Sequence, residues 1–265
     1  MSFNGFKIKD YKYICETIMN SGYKTYTLHE YLIEKPEYGF IIIRHDVDYN
    51  IYDALRISEI ESLHGIHSTF YIRLNKKSTK ENISKLKSIS SEIGLHYDAL
   101  TKANNDIREA LSIFYNQLNY LNSIAEVKTI SAHGSSTKIK RNTELLEKIN
   151  LNQLNLIGDA MLSIDFGNIP YYSDAGRTWN LHKNKLNDYP DKIIKDYSNI
   201  DNTYELCSLI KKDYYNGIYI SSHPELWAQG RYYDLFKEIK YGRMRFILKS
   251  FIKRCNESRR NKLIK

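Results

Sequence analysis

Apolar segments typical of buried strands alternate along this chain with segments that have the periodicity of amphipathic helices. The first strand is predicted by the run 40–43, an uninterrupted β-branched and aromatic stretch of the kind found in parallel sheets, which are covered on both faces. Repeated alternation of this type favours βαβ units and a mainly parallel sheet. The predicted strands lie near 40–43, 67–74, 92–98, 128–134, 154–160 and 217–223, and the predicted helices near 51–64, 80–91, 105–124, 142–149 and 203–214.

Two α/β architectures fit this pattern, a closed (β/α) barrel and a doubly wound sheet, and the pattern alone does not separate them. In both, ligands bind at the carboxyl ends of the strands, so the residues that end each strand form the candidate site. Residues 6–33 precede the alternation and predict two helices, the second capped by Thr27. We expect residues 1–236 to form one domain that includes this helical preamble.

The composition excludes several classes of protein. The 265 residues include three cysteines, an odd number without a Cys-x-x-Cys pair, which excludes a disulfide scaffold and a thiolate zinc finger. No apolar run reaches the length of a signal peptide core or a membrane span. We therefore expect a cytoplasmic protein.

The basic residues are concentrated at the C-terminus. The net charge is +8, but residues 237–265 contain eleven Lys or Arg against two Glu, so the preceding part is close to neutral. A neutral body argues against nucleic-acid binding. Within 237–265, apolar residues recur every three or four positions between basic ones, which predicts a basic amphipathic helix. This helix either contacts an anionic membrane at its inner face or packs as the last helix of the fold.

Side chains of the types that commonly bind metals, Asp and His, follow several predicted strands. Asp46 and Asp48 follow the first strand, and two residues apart in extended backbone they point to the same face, where they repel each other unless their roles differ. A divalent metal separates the roles, because one carboxylate ligates while the other accepts a proton. Imidazole and carboxylate ligands suit Zn²⁺, with Co²⁺, Fe²⁺ or Mn²⁺ as alternatives. The other residues of this set are His96, Asp98, His133, Asp174 and His223.

Five short motifs share one order along the chain. They read I-R-H-D-V-D at 43–48, H-S-T-F-Y-I at 67–72, E-I-G-L-H at 92–96, S-A-H-G at 131–134 and I-S-S-H-P-E-L-W at 220–227. In order and spacing they resemble the polysaccharide deacetylase superfamily, of the carbohydrate esterase family 4 type, over about residues 40 to 228. The resemblance implies a distorted (β/α)7 barrel and a metal, held by one Asp and two His, that serves to hydrolyse an N-acetyl group from an amino sugar.

The resemblance also implies roles for individual residues. Asp46 corresponds to the general base and Asp48 to a metal ligand, although Val47 separates two aspartates that are adjacent in the family, so the order of these roles stays open. His96 corresponds to a metal ligand and His223 to the general acid.

The second family histidine falls on Leu100, four residues after His96, so one ligand is missing. His133 ends the next predicted strand and is the candidate for the third ligand. The segment Y-S-D-A-G-R-T-W at 172–179 resembles the one beside the acetyl pocket, which implies a catalytic role for Asp174. The candidate substrate-binding residues are Arg177, Trp179 and Trp227.

The resulting hypothesis is a carbohydrate deacetylase that acts on an acylated, lipid-linked or nucleotide-linked sugar in the synthesis of surface glycans. The alternative is a catalytically inactive relative that binds glycans or acts as a scaffold, consistent with Leu100. Each candidate also has a purely structural interpretation. Asp46 and Asp48 fit a helix cap or partners of Arg44, the histidines fit buried hydrogen-bonded positions, and both tryptophans fit a core.

Overall fold

The computed structural model of the protein describes residues 6–134, 141–180 and 200–227. Its strands are β1 (Lys24–Tyr26), β2 (Phe40–Val47), β3 (Thr69–Ile72), β4 (Glu92–Tyr97), β5 (Thr129–Ala132), β6 (Gly158–Asp159), β7 (Tyr171–Ser173) and β8 (Gly217–Ser222). The α-helices are α1 (Ile8–Met19), α2 (Leu28–Glu34), α3 (Ile51–Leu63), α4 (Lys80–Lys87), α5 (Ala99–Lys102), α6 (Ile107–Asn122) and α7 (Thr203–Lys211). Every pairing among these strands is parallel, which confirms the predicted α/β class.

The sheet has the order β6-β5-β4-β3-β2-β8-β7, with β1 paired to β2. Its two ends approach each other, because the Tyr219 hydroxyl of β8 donates to the carbonyl of Ala160, just after β6, at 2.9 Å. Phe166, which follows β6, packs edge-on against Tyr171 of β7 and Tyr219. The sheet is therefore curved into a half barrel, the architecture expected of a distorted (β/α)7 barrel.

Strand β2 lies inside this sheet and is buried along its whole length. Its side chains alternate between two cores, as the pleat of a strand requires. Ile41 and Ile43 face the layer of helices, whereas Phe40 and Ile42 face the inside of the curve. Burial on both faces explains why the sequence there shows a continuous apolar run.

The helical preamble is confirmed and contributes to both cores. Helix α2 begins after Thr27, whose hydroxyl accepts from the amide of Glu30 at 3.0 Å, while the Glu30 carboxylate accepts from the amide of Thr27 at 2.8 Å. This reciprocal arrangement is a capping box. Helix α1 packs on the sheet through its buried residues, which include Tyr11 and Ile14.

Several short elements differ from the predictions. Strands β1 and β7 have three residues each, too few to show a period of two, and the sequence did not predict them. The predicted strand 154–160 is reduced to Gly158–Asp159, because Asn155 has a positive φ of 56° that interrupts extended backbone. The predicted helix 142–149 is a 3₁₀ segment, Asn142–Lys148.

Residues 237–265, which predict a basic amphipathic helix, lie outside the described residues. Within the described ranges, no helix combines the length and apolar character needed to cross a membrane.

Gly94 of β4 allows a close approach between strands. The ring of Tyr71, opposite it on β3, occupies the space of a side chain at this position, and the Tyr71 hydroxyl lies 2.8 Å from the Thr129 hydroxyl of β5. We expect Gly94→Ala to lower the free energy of unfolding by about 1–3 kcal/mol through overpacking. The matched control is Gly134→Ala, because an added methyl group there meets no atom of the described residues within 4 Å. Urea unfolding of both variants measures the difference, and equal midpoints would contradict the prediction.

Candidate metal centre

The carboxyl ends of β2, β4, β5 and β8 bring the predicted site residues together. Asp48 follows β2, His96 lies in β4, and His133 follows β5. One ligand atom from each of these three residues lies within 4.8 Å of the others. This set, called the metal triad below, contains the carboxylate and both imidazoles that the sequence predicted as ligands.

The interatomic distances in the metal triad fit a tetrahedral ion. Asp48 Oδ1 is buried and lies 3.3 Å from His96 Nε2 and 3.5 Å from His133 Nε2. Two ligand atoms that each bind a tetrahedral zinc ion at its usual distance of about 2.1 Å are about 3.4 Å apart. His96 is buried, whereas Asp48 and His133 are partly exposed, so the triad has a side accessible to solvent. The donor set therefore fits a catalytic metal with three protein ligands.

The hydrogen bonds of His96 direct one nitrogen into the triad. Its Nδ1 lies 3.1 Å from the carbonyl oxygen of Ser131, which only accepts, so Nδ1 carries the hydrogen and Nε2 faces the carboxylates. Burial alone lowers the pKa of His96, but the negative charges of Asp46 and Asp48 outweigh it and raise the pKa. Those carboxylates favour a positive charge at Nε2, and a metal ion supplies one.

The charges of the other two members follow from their surroundings. Burial raises the pKa of Asp48, but the hydrogen bond and charge of His96, with further positive charge from His133 and His223, hold it below the usual range. Burial, and then the charge of His96, lowers the pKa of His133 to about 4. At neutral pH the triad therefore offers an ionised carboxylate and a neutral imidazole at His133, the protonation states that metal ligation requires.

Asp46 pairs with an arginine, whereas Asp48 lies beside the two imidazoles of the triad. Its Oδ2 accepts from Arg44 Nη2 at 2.8 Å and lies 3.9 Å from His96 Nε2. Burial raises the pKa of Asp46, whereas the charge of Arg44 and then of His96 lowers it below the usual range. Asp46 Oδ1 accepts no hydrogen bond from the described part of the chain. The sequence left the roles of the two aspartates open, and the geometry groups Asp48 with the imidazoles while it keeps one oxygen of Asp46 available.

His223 and Asp174 form a hydrogen-bonded pair at the end of β8. His223 Nδ1 lies 2.7 Å from Asp174 Oδ1, and the His223 amide also donates to this carboxylate. Asp174 is fully buried and accepts further hydrogen bonds from the Ser222 hydroxyl and the Trp227 indole, both at 3.0 Å. Such a carboxylate fixes the orientation of the imidazole.

Two predicted substrate-binding residues belong to the core instead. Trp179 and Trp227 are 0% and 1% exposed, and both stack or tilt against Phe6. A fully covered ring presents no face to a sugar, so their prediction as sugar-binding residues is wrong. Arg177 is half-buried in a turn with a φ of 58°, where its amide donates to the Asp174 carbonyl, and its role in substrate binding stays a prediction.

Leu100 lies in α5 with no exposed surface and packs in the core between the helices and the sheet. The position therefore supplies no ligand, in agreement with its apolar side chain. His133, at the end of the neighbouring strand, supplies the third candidate ligand atom of the triad, and its role as a ligand stays a prediction.

Two further residues beside the triad were not predicted from the sequence. Tyr49, directly after Asp48, is 50% exposed and has the Arg73 guanidinium over its ring at 5.7 Å. Arg73, directly after β3, also contacts His133. Inspection of every residue that follows a strand, rather than only Asp and His, would have identified both. Glu225 is buried below them, where it accepts from the amides of Tyr49 and Asn50, and burial raises its pKa to about 7.

Comparisons with known proteins show a similarity in structure but none in sequence. No protein-family model and no curated protein matches the chain. Among solved structures, the chain is similar to a mutant of a CE4 family pseudoenzyme with restored enzymatic activity. The two are 14% identical with a TM-score of 0.44, and the alignment covers 71% of this chain and 58% of the other. That protein comes from the family that the motifs resemble.

We expect the purified protein to bind one equivalent of Zn²⁺ or Co²⁺. His96→Ala and His133→Ala should each weaken binding by more than about 100-fold, because loss of a ligand exceeds the 10- to 100-fold effect of losing an outer partner. His67→Ala is the matched control, since His67 is exposed and precedes β3 at the opposite end of the sheet. Native mass spectrometry and metal titration give the stoichiometry and affinity. Unchanged affinity in both triad variants would exclude this site.

Proposed function

We propose that this protein is a metal-dependent hydrolase that removes an N-acyl group, in the simplest case N-acetyl, from a sugar. The observation that carries the proposal is the convergence of Asp48, His96 and His133 within 4.8 Å. Asp46 and His223 supply proton-transfer groups beside it. The charge of His223 contributes to lowering the pKa of both Asp46 and Asp48.

The arrangement assigns a separate task to each residue. A metal held by Asp48, His96 and His133 would supply Lewis acidity, which polarises an acyl oxygen and acidifies a water molecule. Asp46 accepts the proton of the attacking water at Oδ1, because Arg44 holds Oδ2. Arg44 also keeps Asp46 ionised over a wide pH range.

His223 completes the reaction as the general acid. Asp174 binds its Nδ1, so Nε2 is the nitrogen that donates a proton to the departing amine. The buried Asp174 stabilises the protonated imidazole and holds the ring in place. The proposed acid, His223, therefore follows β8, whereas the proposed base, Asp46, lies on β2.

We expect Asp46→Asn and His223→Ala each to lower turnover by about 10²- to 10⁴-fold, the usual contribution of a general base or acid. Neither residue belongs to the metal triad, so both variants should retain metal at the wild-type stoichiometry. Acetate release from N-acetylated sugars measures turnover, and the metal content of the same samples serves as the control. Near wild-type turnover in either variant would show that its role is assigned wrongly.

Tyr49 supports a sugar as the substrate. Its ring is half-exposed beside the triad, and aromatic rings with a polar tip bind the apolar faces of sugars while the hydroxyl stays in water. The adjacent Asn50 and Lys77 supply polar groups, with Lys77 Nζ 3.2 Å from Asn50 Oδ1. Lipid-linked and nucleotide-linked sugars are the substrate classes that we propose to screen first.

We expect Tyr49→Ala to weaken binding of an N-acetylated oligosaccharide by roughly two- to tenfold, the equivalent of one aromatic contact of about 0.5–1.5 kcal/mol. Tyr214→Ala is the matched control, because Tyr214 is 81% exposed and precedes β8, at the opposite end of the sheet. Calorimetric titration gives both dissociation constants. Equal constants for the two variants would remove Tyr49 from the binding site.

A catalytically inactive glycan-binding protein is the second candidate function. The observation that favours it is Leu100, an apolar core residue at the position of a family ligand. This candidate predicts affinity for glycans without metal and without turnover. The metal titration described above separates it from the hydrolase.

A further inference from the structure

Arg73 connects the metal triad to a buried carboxylate. It follows β3 directly, and its amide donates to the carbonyl of Val47 at 3.1 Å, which continues the pairing with β2. Its Nε donates to Asp98 Oδ2 at 2.8 Å, and its Nη1 lies 3.3 Å from His133 Nε2. Asp98 is fully buried and also binds Lys102 at 3.0 Å and Gln117 at 3.2 Å. Asp98 therefore holds the guanidinium in place through Nε, while Nη1 of the same group contacts His133 of the triad.

The direction of the contact with His133 is fixed by chemistry. A guanidinium only donates hydrogen bonds, so His133 Nε2 is the acceptor. A neutral imidazole has a single lone pair on its acceptor nitrogen. The same Nε2 is the atom of His133 that lies 3.5 Å from Asp48 Oδ1. Arg73 and a metal ion therefore require the same lone pair.

We infer that Arg73 is a built-in competitor for the metal triad, which a metal ion must displace from His133 before it binds. This inference rests on the metal site of the proposed function. Two physical effects act in the same direction. The hydrogen bond to His133 is lost when metal binds, and the guanidinium charge repels a divalent cation. Arg73 thus lowers metal affinity and makes the third ligand available only when the metal outcompetes it.

Asp98 determines how strongly Arg73 competes. The hydrogen bond through Nε limits how far the guanidinium can withdraw, because the carboxylate is buried and receives Arg73 in a charge-assisted bond. Lys102 binds the other oxygen of the same carboxylate, and no contact between Lys102 and His133 occurs in the described part of the chain. Lys102 is therefore a matched control for Arg73, because it binds the same carboxylate of Asp98 but has no contact with His133 among the described residues.

The test compares metal affinity in single variants, with Zn²⁺ measured by chelator competition and Co²⁺ by its absorption. We expect Arg73→Met to tighten binding by about 10- to 100-fold, the equivalent of one hydrogen bond to a charged group. Lys102→Met should change the affinity less than about threefold, because its charge is farther from the triad. Arg73→Lys, which keeps the charge but loses the planar fork, should fall between wild type and Arg73→Met.

Removal of Arg73 also leaves Asp98 with fewer partners. The double variant Arg73→Met with Asp98→Asn removes that buried charge, so it keeps the test valid if the single variant does not fold. Tighter binding in either of these variants supports the inference. Equal or weaker binding than wild type overturns it and leaves the proposed function intact.

The remaining outcomes separate the inference from the proposed function. Metal binding by Arg73→Met but not by wild type supports competition by Arg73 and contradicts metal-dependent activity of the native protein. Absence of binding in every folded variant overturns both.

Discussion

The ion pair between Arg44 and Asp46 is the interaction on which the site depends. Both residues lie on β2, the strand that pairs with β1, β3 and β8, and they are 1% and 2% exposed. Loss of one partner from a buried pair typically costs about 3–5 kcal/mol, because the other charge stays buried and uncompensated. Arg44 binds Oδ2 of Asp46, and Oδ1 accepts no hydrogen bond from the described part of the chain. The contact with Arg44 thus compensates the negative charge of a carboxylate buried in the sheet. It also leaves Oδ1 of that carboxylate available as an acceptor.

A second polar network lies on the opposite face of β2. His45 Nε2 lies 2.8 Å from Glu61 Oε1, and the same carboxylate accepts from the hydroxyls of Tyr11 and Ser68. Tyr11 packs edge-on against Trp227 with the ring centroids 4.9 Å apart. Because Trp227 donates to Asp174, the layer of helices behind the sheet is connected through packed side chains to the carboxylate that holds His223. Trp227, which was predicted to bind sugar, therefore supports the Asp174–His223 pair from within the core.

The sequence predicted the long elements and the convergence of the ligands for the same reason. A strand buried on both faces has a continuous apolar run, and the carboxyl ends of parallel strands meet at one edge, so His96 and His133 could be placed side by side. Strands of three residues carry no such pattern. The burial of Trp179 and Trp227 depends on Phe6, which is distant in sequence, and local motifs do not reveal that contact. Arg44 was considered only as a structural partner of the aspartates, and it pairs with Asp46 on the same strand. Arg73 was overlooked because its contact with Asp98 joins the ends of two neighbouring strands.

The pairing of β4 with β5 explains how the triad exists without a ligand at position 100. In this register His96 is opposite Ser131, whose carbonyl accepts from His96 Nδ1, and the amide of His133 donates to the carbonyl of Tyr97 at 2.8 Å. The pairing of these two strands therefore both orients His96 and positions His133. A slip by one residue would turn His133 to the opposite face of the sheet and remove the carbonyl from His96. The register of β4 and β5 brings His133 beside His96, whereas Leu100 packs in the core.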